Sequence, residues 1–237
     1  DDLTVEEEPI KQDRNEIFTN YLKSQGKGGG LRPFQEKYKN YDNLVIVADT
    51  GIGKTGLACL WTKRKMFYVL PNRTSNNAMF ETLSKIFGKE KVGLLHSTSI
   101  FYMLDNQDYE DYTILRDYEN TKNLSKPITV CTADQLFTAV FKYPTYEKIY
   151  ATLSYSDVVI DEIQGFDPVQ IVPIIRQIEE TLKLGTRFLI ITATLPNIVR
   201  KEFERLGFTV ITDDPLTIDN TKRHKVAILD EDIFSVK

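Results

Sequence analysis

A glycine-rich segment stands directly after an apolar run: L-V-I-V at residues 44–47 is followed by A-D-T-G-I-G-K-T at residues 48–55. This order indicates a buried strand, a tight phosphate-binding loop and a helix. The glycines allow the backbone to turn sharply, so that several N–H groups and the positive end of the helix dipole face a phosphate. Ala48 occupies the first place of the pattern G-x-x-x-x-G-K-[ST], where the pattern has glycine. The segment therefore predicts a nucleoside triphosphate site.

The residues of this loop have distinct expected roles. Lys54 is expected to reach the β and γ phosphates, and the Thr55 hydroxyl is expected to ligate magnesium. The predicted cofactors are therefore ATP and Mg²⁺. The residues predicted to surround the phosphates are Thr50, Gly51, Ile52 and Gly53.

Apolar runs alternate with helical patterns along most of the chain, which is typical of a mostly parallel sheet with helices on both faces. Strands are predicted over residues 43–49, 66–71, 92–96, 128–132, 157–163, 188–192 and 208–212. Helices are predicted over residues 13–24, 53–63, 75–87, 134–141, 169–183 and 196–206. The predicted fold class is therefore α/β.

The 237 residues are enough for one large α/β domain. Residues 1–30 are predicted to be an N-terminal extension that ends in a glycine-rich joint, and residues 31–216 to be the domain itself. Residues 217–237 are predicted to be a segment that leads away from it. Residues 105–123 are rich in Asp, Glu, Asn and Tyr, and are expected to form a solvated excursion.

Composition limits the classes of partner and compartment. The net charge is −4 and the sequence pI is near 5.4, which excludes a protein that coats nucleic acid through bulk positive charge. Any nucleic-acid contact must be a local patch. Both cysteines, Cys59 and Cys131, lie in apolar runs and are expected to be core residues of a reducing compartment. We find no membrane-spanning apolar stretch or signal pattern, and we expect a cytoplasmic protein with no membrane partner.

A second motif accompanies the phosphate-binding loop. The apolar run V-V-I at residues 158–160 leads into Asp161 and Glu162, the arrangement known as Walker B. Ligands of open α/β sheets bind beyond the carboxyl ends of the strands, so Asp161 would lie near the phosphates if its strand neighbours the strand before the loop. Asp161 is predicted to complete the magnesium shell, and Glu162 to orient and polarise the attacking water.

Two further sets of polar residues extend the predicted site. Thr192 and Thr194 flank an alanine at a strand end, where their hydroxyls can bond the Walker B carboxylates and report the nucleotide state. Upstream of the loop, Gln35 offers a donor and an acceptor that match the adenine edge, and Arg32 is predicted to contact the same base end. The site thus comprises residues scattered over most of the chain.

Together these motifs resemble the first RecA-like domain of superfamily 2 helicases, with the loop A-D-T-G-I-G-K-T, the acidic motif D-E-I-Q and the later T-A-T. The likeness extends over about residues 31–208 and is greatest to the CRISPR-associated helicases of type I interference systems. Residues 161–168 are also similar to that family, which often has Ala-Tyr where this chain has Gly165-Phe166. The resemblance implies a RecA-like P-loop NTPase fold and places Gln164 with the two threonines in coupling. Three further stretches support it, at residues 70–80, 94–97 and 130–137.

The same resemblance implies a nucleic-acid surface and partners. Two turns would face single-stranded DNA, through backbone groups and hydroxyls that position the strand without reading its sequence. The implied partners are single-stranded DNA, a CRISPR RNA-guided surveillance complex and a nuclease domain or subunit. The residues of the two turns are Asn72, Arg73, Thr132, Asp134 and Gln135.

The leading hypothesis is the ATP-binding domain of an ATP-dependent single-stranded DNA translocase of CRISPR interference. Helicases of this superfamily take arginines from a second RecA-like domain, through a Q-x-x-G-R-x-x-R type motif that does not occur here. We therefore expect one domain of a larger polypeptide, or a subunit whose other half is a separate chain, with residues 217–237 leading toward the missing second RecA-like domain. Alone, the chain is expected to bind nucleotide weakly, with weak or no ATP turnover. The 30 residues before Leu31 and two histidines are also too few for the family's nuclease domain.

Two alternatives stay open at this point. One is a DExH-type helicase that acts on RNA or on other DNA structures. The other is a nucleotide-binding or interaction module that does not hydrolyse ATP. Glu162 argues against the second, because a pure binder does not need a water-positioning carboxylate beside the magnesium ligand.

Overall fold

A seven-stranded, entirely parallel sheet forms the centre of the molecule, in the order β3-β4-β2-β5-β6-β1-β7. The computed structural model describes residues 10, 13–26, 28, 30–106, 111–212 and 214–218. All seven predicted strands are confirmed, with ends within two residues of the prediction. They are β1 (Leu44–Val47), β2 (Lys65–Leu70), β3 (Val92–Leu95), β4 (Ile128–Thr132), β5 (Ser156–Asp161), β6 (Arg187–Thr192) and β7 (Thr209–Ile211).

Helices connect the strands and precede the first one. Five predicted helices are confirmed, and the one predicted over residues 134–141 divides into α7 and a 3-10 helix, Phe137–Phe141. Four helices, α2, α5, α6 and α8, were not predicted. The full set is α1 (Arg14–Ser24), α2 (Pro33–Tyr38), α3 (Lys54–Trp61), α4 (Arg73–Phe87), α5 (Ser99–Asn106), α6 (Asp111–Lys122), α7 (Ala133–Leu136), α8 (Tyr146–Ser154), α9 (Pro168–Leu182) and α10 (Asn197–Arg205).

Both faces of the sheet are buried, as the near-continuous apolar strands predict. Side chains alternate between two cores along each strand: Tyr68 of β2 lies in the core with α1, α3 and α4, whereas its neighbour Phe67 lies in the core with α9 and α10. In α9 the inward residues Ile174 and Ile178 are almost completely buried. Helices therefore cover both faces, and the predicted α/β class is confirmed.

The prediction of a solvated excursion at residues 105–123 is wrong for the part that the structure describes. Residues 111–122 form helix α6, which packs on the edge strand β3. Ile114 and Thr121 are buried, and Asp117 forms an ion pair with Lys126 at 3.1 Å. The polar composition gave a wrong prediction because a few buried side chains and one ion pair are enough to hold a helix on the edge of a sheet.

The segments that precede the first strand and follow the last strand in the chain also contact the domain. Helix α1 packs against α3 and α4, with Arg14 and Phe18 buried, so the described part of the N-terminal extension shares the core. The boundary predicted at residue 30 stays a prediction. The backbone N–H of Asp49 donates to the Thr217 carbonyl at 3.0 Å, whereas residues 219–237 lie outside the described residues.

Two whole-chain expectations concern the cysteines and membranes. Cys59 and Cys131 are buried and unpaired by any disulfide, which confirms them as core residues. Burial raises the pKa of the Cys59 thiol to about 12. Within the described ranges, no helix has the length and apolarity that crossing a bilayer requires.

Candidate nucleotide site

The phosphate-binding loop lies between the carboxyl end of β1 and the first turn of α3. Gly51 and Gly53 have φ of 82° and 93°, a backbone conformation that side chains disfavour, and Gly53 caps α3. The other predicted loop residues differ in exposure: Thr50 is exposed, and Ile52 is buried. The loop therefore has the tight, left-handed turns that its glycines predicted.

Gln35 and Arg32 brace this loop from the side of α2. The Gln35 side chain is 3% exposed, and its amide donates to the Gly53 carbonyl at 3.0 Å while it accepts from the Arg32 backbone N–H at 2.9 Å. The Arg32 guanidinium donates to the Gly51 carbonyl at 2.8 Å. A cavity of about 340 Å³, lined by Arg32, Gln35, Gly53 and Tyr21, opens beside them. The contact predicted for both residues with the base stays a prediction.

Lys54 and Glu162 are in contact although β1 and β5, the strands that precede them in the chain, are not neighbours in the sheet. Asp161 was expected near the phosphates if β5 lay beside β1, but β6 lies between them, with Ile191 in register with Asp161 and Thr192 with Val47. Lys54 Nζ is nevertheless 3.1 Å from Glu162 Oε1 and 3.5 Å from the Ala48 carbonyl. The first turn of α3 thus reaches across the end of β6 to the acidic motif.

Asp161 lies at the end of β5 in a buried position. Its Oδ1 accepts from the Glu162 backbone N–H at 2.9 Å, and its Oδ2 accepts from the Tyr68 hydroxyl at 2.6 Å. Burial raises the pKa of the Asp161 carboxyl, while the Tyr68 hydrogen bond and the Lys54 charge oppose that rise. Tyr68 is completely buried, and burial beside Asp161 raises its own pKa, so its hydroxyl keeps its proton and donates.

Sequence reasoning did not identify Tyr68 as part of the site. The available signal was a single hydroxyl in the otherwise apolar core stretch M-F-Y-V-L of β2, where phenylalanine would pack equally well. Only the parallel pairing of β2 with β5 explains that hydroxyl, because it brings the Tyr68 ring to the end of the acidic strand.

A chain of side chains links the acidic motif to T-A-T. Glu162 has φ of 56°, a left-handed conformation rare for a residue with a side chain. The Gln164 amide donates to Glu162 and accepts from the Thr192 hydroxyl. The Thr192 hydroxyl also lies 2.6 Å from the Thr194 carbonyl. Thr192 therefore reaches the acidic motif through Gln164 rather than by the direct contact with the carboxylates that we expected.

The residues present fit magnesium and a triphosphate. Thr55 and Asp161 offer only oxygen atoms, which Mg²⁺ prefers, and Mg²⁺ typically takes one or two carboxylates together with phosphates and water. Within the described part of the chain, no group of three or more His, Cys, Asp and Glu side chains is placed to hold a metal. Lys54, 10% exposed in its side chain, supplies a positive charge beside the loop.

The residues predicted to contact nucleic acid lie farther along the same sheet edge, after β2 and β4. These strands are neighbours, with Leu70 in register with Thr132, so the two turns lie side by side. Asn72 caps α4 by accepting from the Ser75 backbone N–H at 2.8 Å, and Arg73 and Asp134 are exposed. Gln135 donates to Asp134 at 2.6 Å. The structure brings the five residues together on one edge, while their binding role stays a prediction.

Comparisons with known proteins agree with this geometry. Residues 33–202 match the model of the DEAD/DEAH box helicase family. The chain is 28% identical over 205 residues to the CRISPR-associated nuclease/helicase Cas3 of Methanothermobacter thermautotrophicus, covering 81% of this chain and 25% of that protein. It is 27% identical over 196 residues to a putative Cas3 of Methanocaldococcus jannaschii, covering 76% and 27% of the two. The chain thus spans about a quarter of the length of these relatives.

A solved structure with a similar fold is the crystal structure of T. fusca Cas3-AMPPNP. It superimposes with a TM-score of 0.63 at 20% identity, covering 87% of this chain and 26% of that chain. A likeness at this identity concerns the fold alone, and it identifies the sheet and its helices as RecA-like.

Proposed function

The chain belongs to the DEAD/DEAH box helicase family, and from this premise we propose that it is the ATP-binding domain of an ATP-dependent single-stranded DNA translocase of type I CRISPR interference. The observation that carries the proposal is the continuous side-chain path from Lys54 through Glu162 and Gln164 to Thr192. Such a path joins Lys54, the residue proposed to bind phosphate, to the end of β6, which can respond when a nucleotide binds. The similarity to Cas3 proteins supports the CRISPR assignment.

Each residue has one task in the proposed reaction. The loop N–H groups and Lys54 hold the triphosphate, and Thr55 and Asp161 hold Mg²⁺, which neutralises phosphate charge when bound. Glu162 orients the attacking water and accepts its proton. Lys54 must leave Glu162 to reach a phosphate, so nucleotide binding would free the Glu162 carboxylate at the moment it is needed.

Hydrolysis is proposed to need a second RecA-like domain. Arginines supplied to the γ phosphate accelerate such reactions by about 10³ to 10⁵, and this chain lacks the expected Q-x-x-G-R-x-x-R type motif. The turns after β2 and β4 are proposed to hold the DNA strand, and the surveillance complex and nuclease to be partners. The proposed location is the cytoplasm.

The test is ATP hydrolysis by the full-length protein with single-stranded DNA, with RNA and with neither. We expect stimulation by single-stranded DNA, and its loss in Lys54→Ala and in Glu162→Gln. Stimulation by RNA alone would favour the alternative of an RNA helicase. A Glu162→Gln protein with an unchanged hydrolysis rate would favour a binding module that does not use Glu162. Rapid turnover by the 237-residue chain alone would contradict the need for a second domain.

A further inference from the structure

Tyr68 lies in β2, in the core that this strand shares with α3, and β2 pairs with β5. Tyr68 is completely buried, and its hydroxyl is 2.6 Å from Asp161 Oδ2. Thr55 lies in the first turn of α3, whose residues Leu57 and Ala58 share a core with Tyr68. One buried hydroxyl therefore contacts Asp161, a residue predicted to ligate magnesium.

Packing alone does not require this hydroxyl. The neighbouring residues Phe67 and Val69 of β2 are completely buried and apolar, and a phenylalanine at position 68 would fill the same ring volume. A hydroxyl in such a place costs free energy unless it is hydrogen-bonded. Its cost is offset here by the bond to Asp161, so the function of the hydroxyl lies in that contact.

The contact determines how the Asp161 carboxylate is oriented. Oδ1 accepts from the Glu162 backbone N–H at 2.9 Å, a donor that also bonds the Ile191 carbonyl at 2.9 Å, and Oδ2 accepts from Tyr68, so two donors hold the two oxygens. A carboxylate oxygen has two lone pairs, so it can accept a hydrogen bond from the tyrosine hydroxyl while its other lone pair faces a cation. Without the hydroxyl, one of these two restraints on the carboxylate is lost.

We propose that Tyr68 is a positioning residue of the magnesium site formed by Asp161 and Thr55, in which it orients the Asp161 carboxylate. This inference rests on the proposed function, since it assumes that Mg²⁺ binds with a nucleotide at these two residues. Groups that hydrogen-bond to metal ligands typically change metal affinity by about 10-fold to 100-fold when they are removed.

The test is Tyr68→Phe in the full 237-residue chain, titrated with Mg²⁺ in the presence of a fluorescent ADP analogue. We expect the Mg²⁺ concentration at half saturation to rise about 10-fold, while the affinity for the analogue in EDTA stays as in the wild type. Tyr150→Phe is the matched control, because its hydroxyl also bonds a carboxylate, that of Glu180, on helices away from the loop. The control should leave the Mg²⁺ dependence unchanged.

The outcomes separate this inference from the proposed function. A folded Tyr68→Phe chain with the Mg²⁺ dependence of the wild type would overturn the role of Tyr68 and leave the proposed function standing. A wild-type chain whose nucleotide binding shows no Mg²⁺ dependence would overturn both. If Tyr68→Phe does not fold, the single variant Asp161→Ala is compared with the double variant Asp161→Ala/Tyr68→Phe. In the double variant both partners of the hydrogen bond are removed, so no carboxylate is left without its donor. Equal Mg²⁺ dependence in that pair is expected, and a further loss in the double variant would contradict action through Asp161.

Discussion

Lys54 Nζ lies 3.1 Å from Glu162 Oε1, so the residue expected to bind phosphate is paired with the residue expected to activate water. Lys54 begins helix α3, which follows β1, and Glu162 directly follows β5. In the sheet, β6 lies between these two strands. Each charged group is thus engaged by the other, and neither is available to a phosphate or a water molecule while the pair is formed. A nucleotide that draws Lys54 to its phosphates would release Glu162.

Replacing Glu162 with glutamine is expected to separate binding from hydrolysis. The amide removes the negative charge that competes for Lys54, so the fluorescent ADP analogue should bind the 237-residue chain as tightly as before or more tightly. Hydrolysis by the full-length protein should fall by about 10² to 10⁴, the usual contribution of a general base. Lys54→Ala should weaken binding instead. Equal weakening of binding by both variants would contradict the competition between the pair.

Gly56→Ala is expected to destabilise the chain although alanine favours helices. A Cβ at Gly56 would lie 2.4 Å from Gln35 Nε2 and 2.7 Å from Phe18 Cζ, so the brace under the loop would have to shift. Overpacking of this kind costs about 1 to 3 kcal/mol, more than the roughly 1 kcal/mol gained from helix propensity. Urea unfolding measures the difference.

Gly30→Ala is the control for that measurement, because a Cβ there would meet no atom within 4 Å. Its free energy of unfolding should change by less than about 0.5 kcal/mol. A Gly56→Ala chain as stable as Gly30→Ala would mean that Gln35 is not held against α3 as described.

Asp157→Ala is expected to be among the most destabilising changes in the sheet. The carboxylate is completely buried and accepts from the backbone N–H groups of Lys63 and Arg64 at 2.7 and 3.1 Å, and from the Arg64 guanidinium at 2.9 Å. Leaving a buried backbone donor without its acceptor costs about 1 to 3 kcal/mol, and two such donors lose theirs here. Glu204→Ala breaks an exposed pair with Arg200 and should cost only about 0.3 to 0.5 kcal/mol. Similar losses in urea unfolding for both variants would contradict this ranking.

His96 is expected to make the stability of the fold depend on pH below about 6.5, the ordinary pKa of histidine. Its Nδ1 accepts from the Thr98 backbone N–H at 3.3 Å, so Nε2 carries the proton toward Asn77 Oδ1 at 2.7 Å. Burial lowers the pKa of His96, the Arg73 charge lowers it further, and the Asp134 charge opposes the shift.

The neutral form is therefore favoured in the folded state. This contribution to stability is fully present above the unfolded pKa and is lost as the pH falls from about 6.5 through the lower folded pKa. Melting temperatures of wild type and His96→Gln between pH 8 and pH 5 measure it. We expect the wild type to lose more stability over this range than the variant, and parallel curves would contradict the assignment.

Local patterns predicted much of this molecule. Seven strands and five helices follow from apolar runs and helical spacing, because both faces of the sheet are buried and each strand is bounded by turn residues. The short helix α2 and the polar helix α6 escaped prediction. The first has only six residues, and the second is held by the Asp117–Lys126 ion pair and a few buried side chains. The packing of α2 on α3 and of α6 on β3 decided both.

The sequence by itself determined the glycine-rich loop, the acidic motif, the seven strands and five of the ten described helices, since these depend on residue types at short spacings. Only the tertiary structure decided that β6 lies between β1 and β5, that Lys54 still reaches Glu162, and that Gln164 carries the link to Thr192. It alone brought the Tyr68 hydroxyl to Asp161. The physical reason is that strand order and register set which side chains meet at the sheet edge, and no local pattern contains that information.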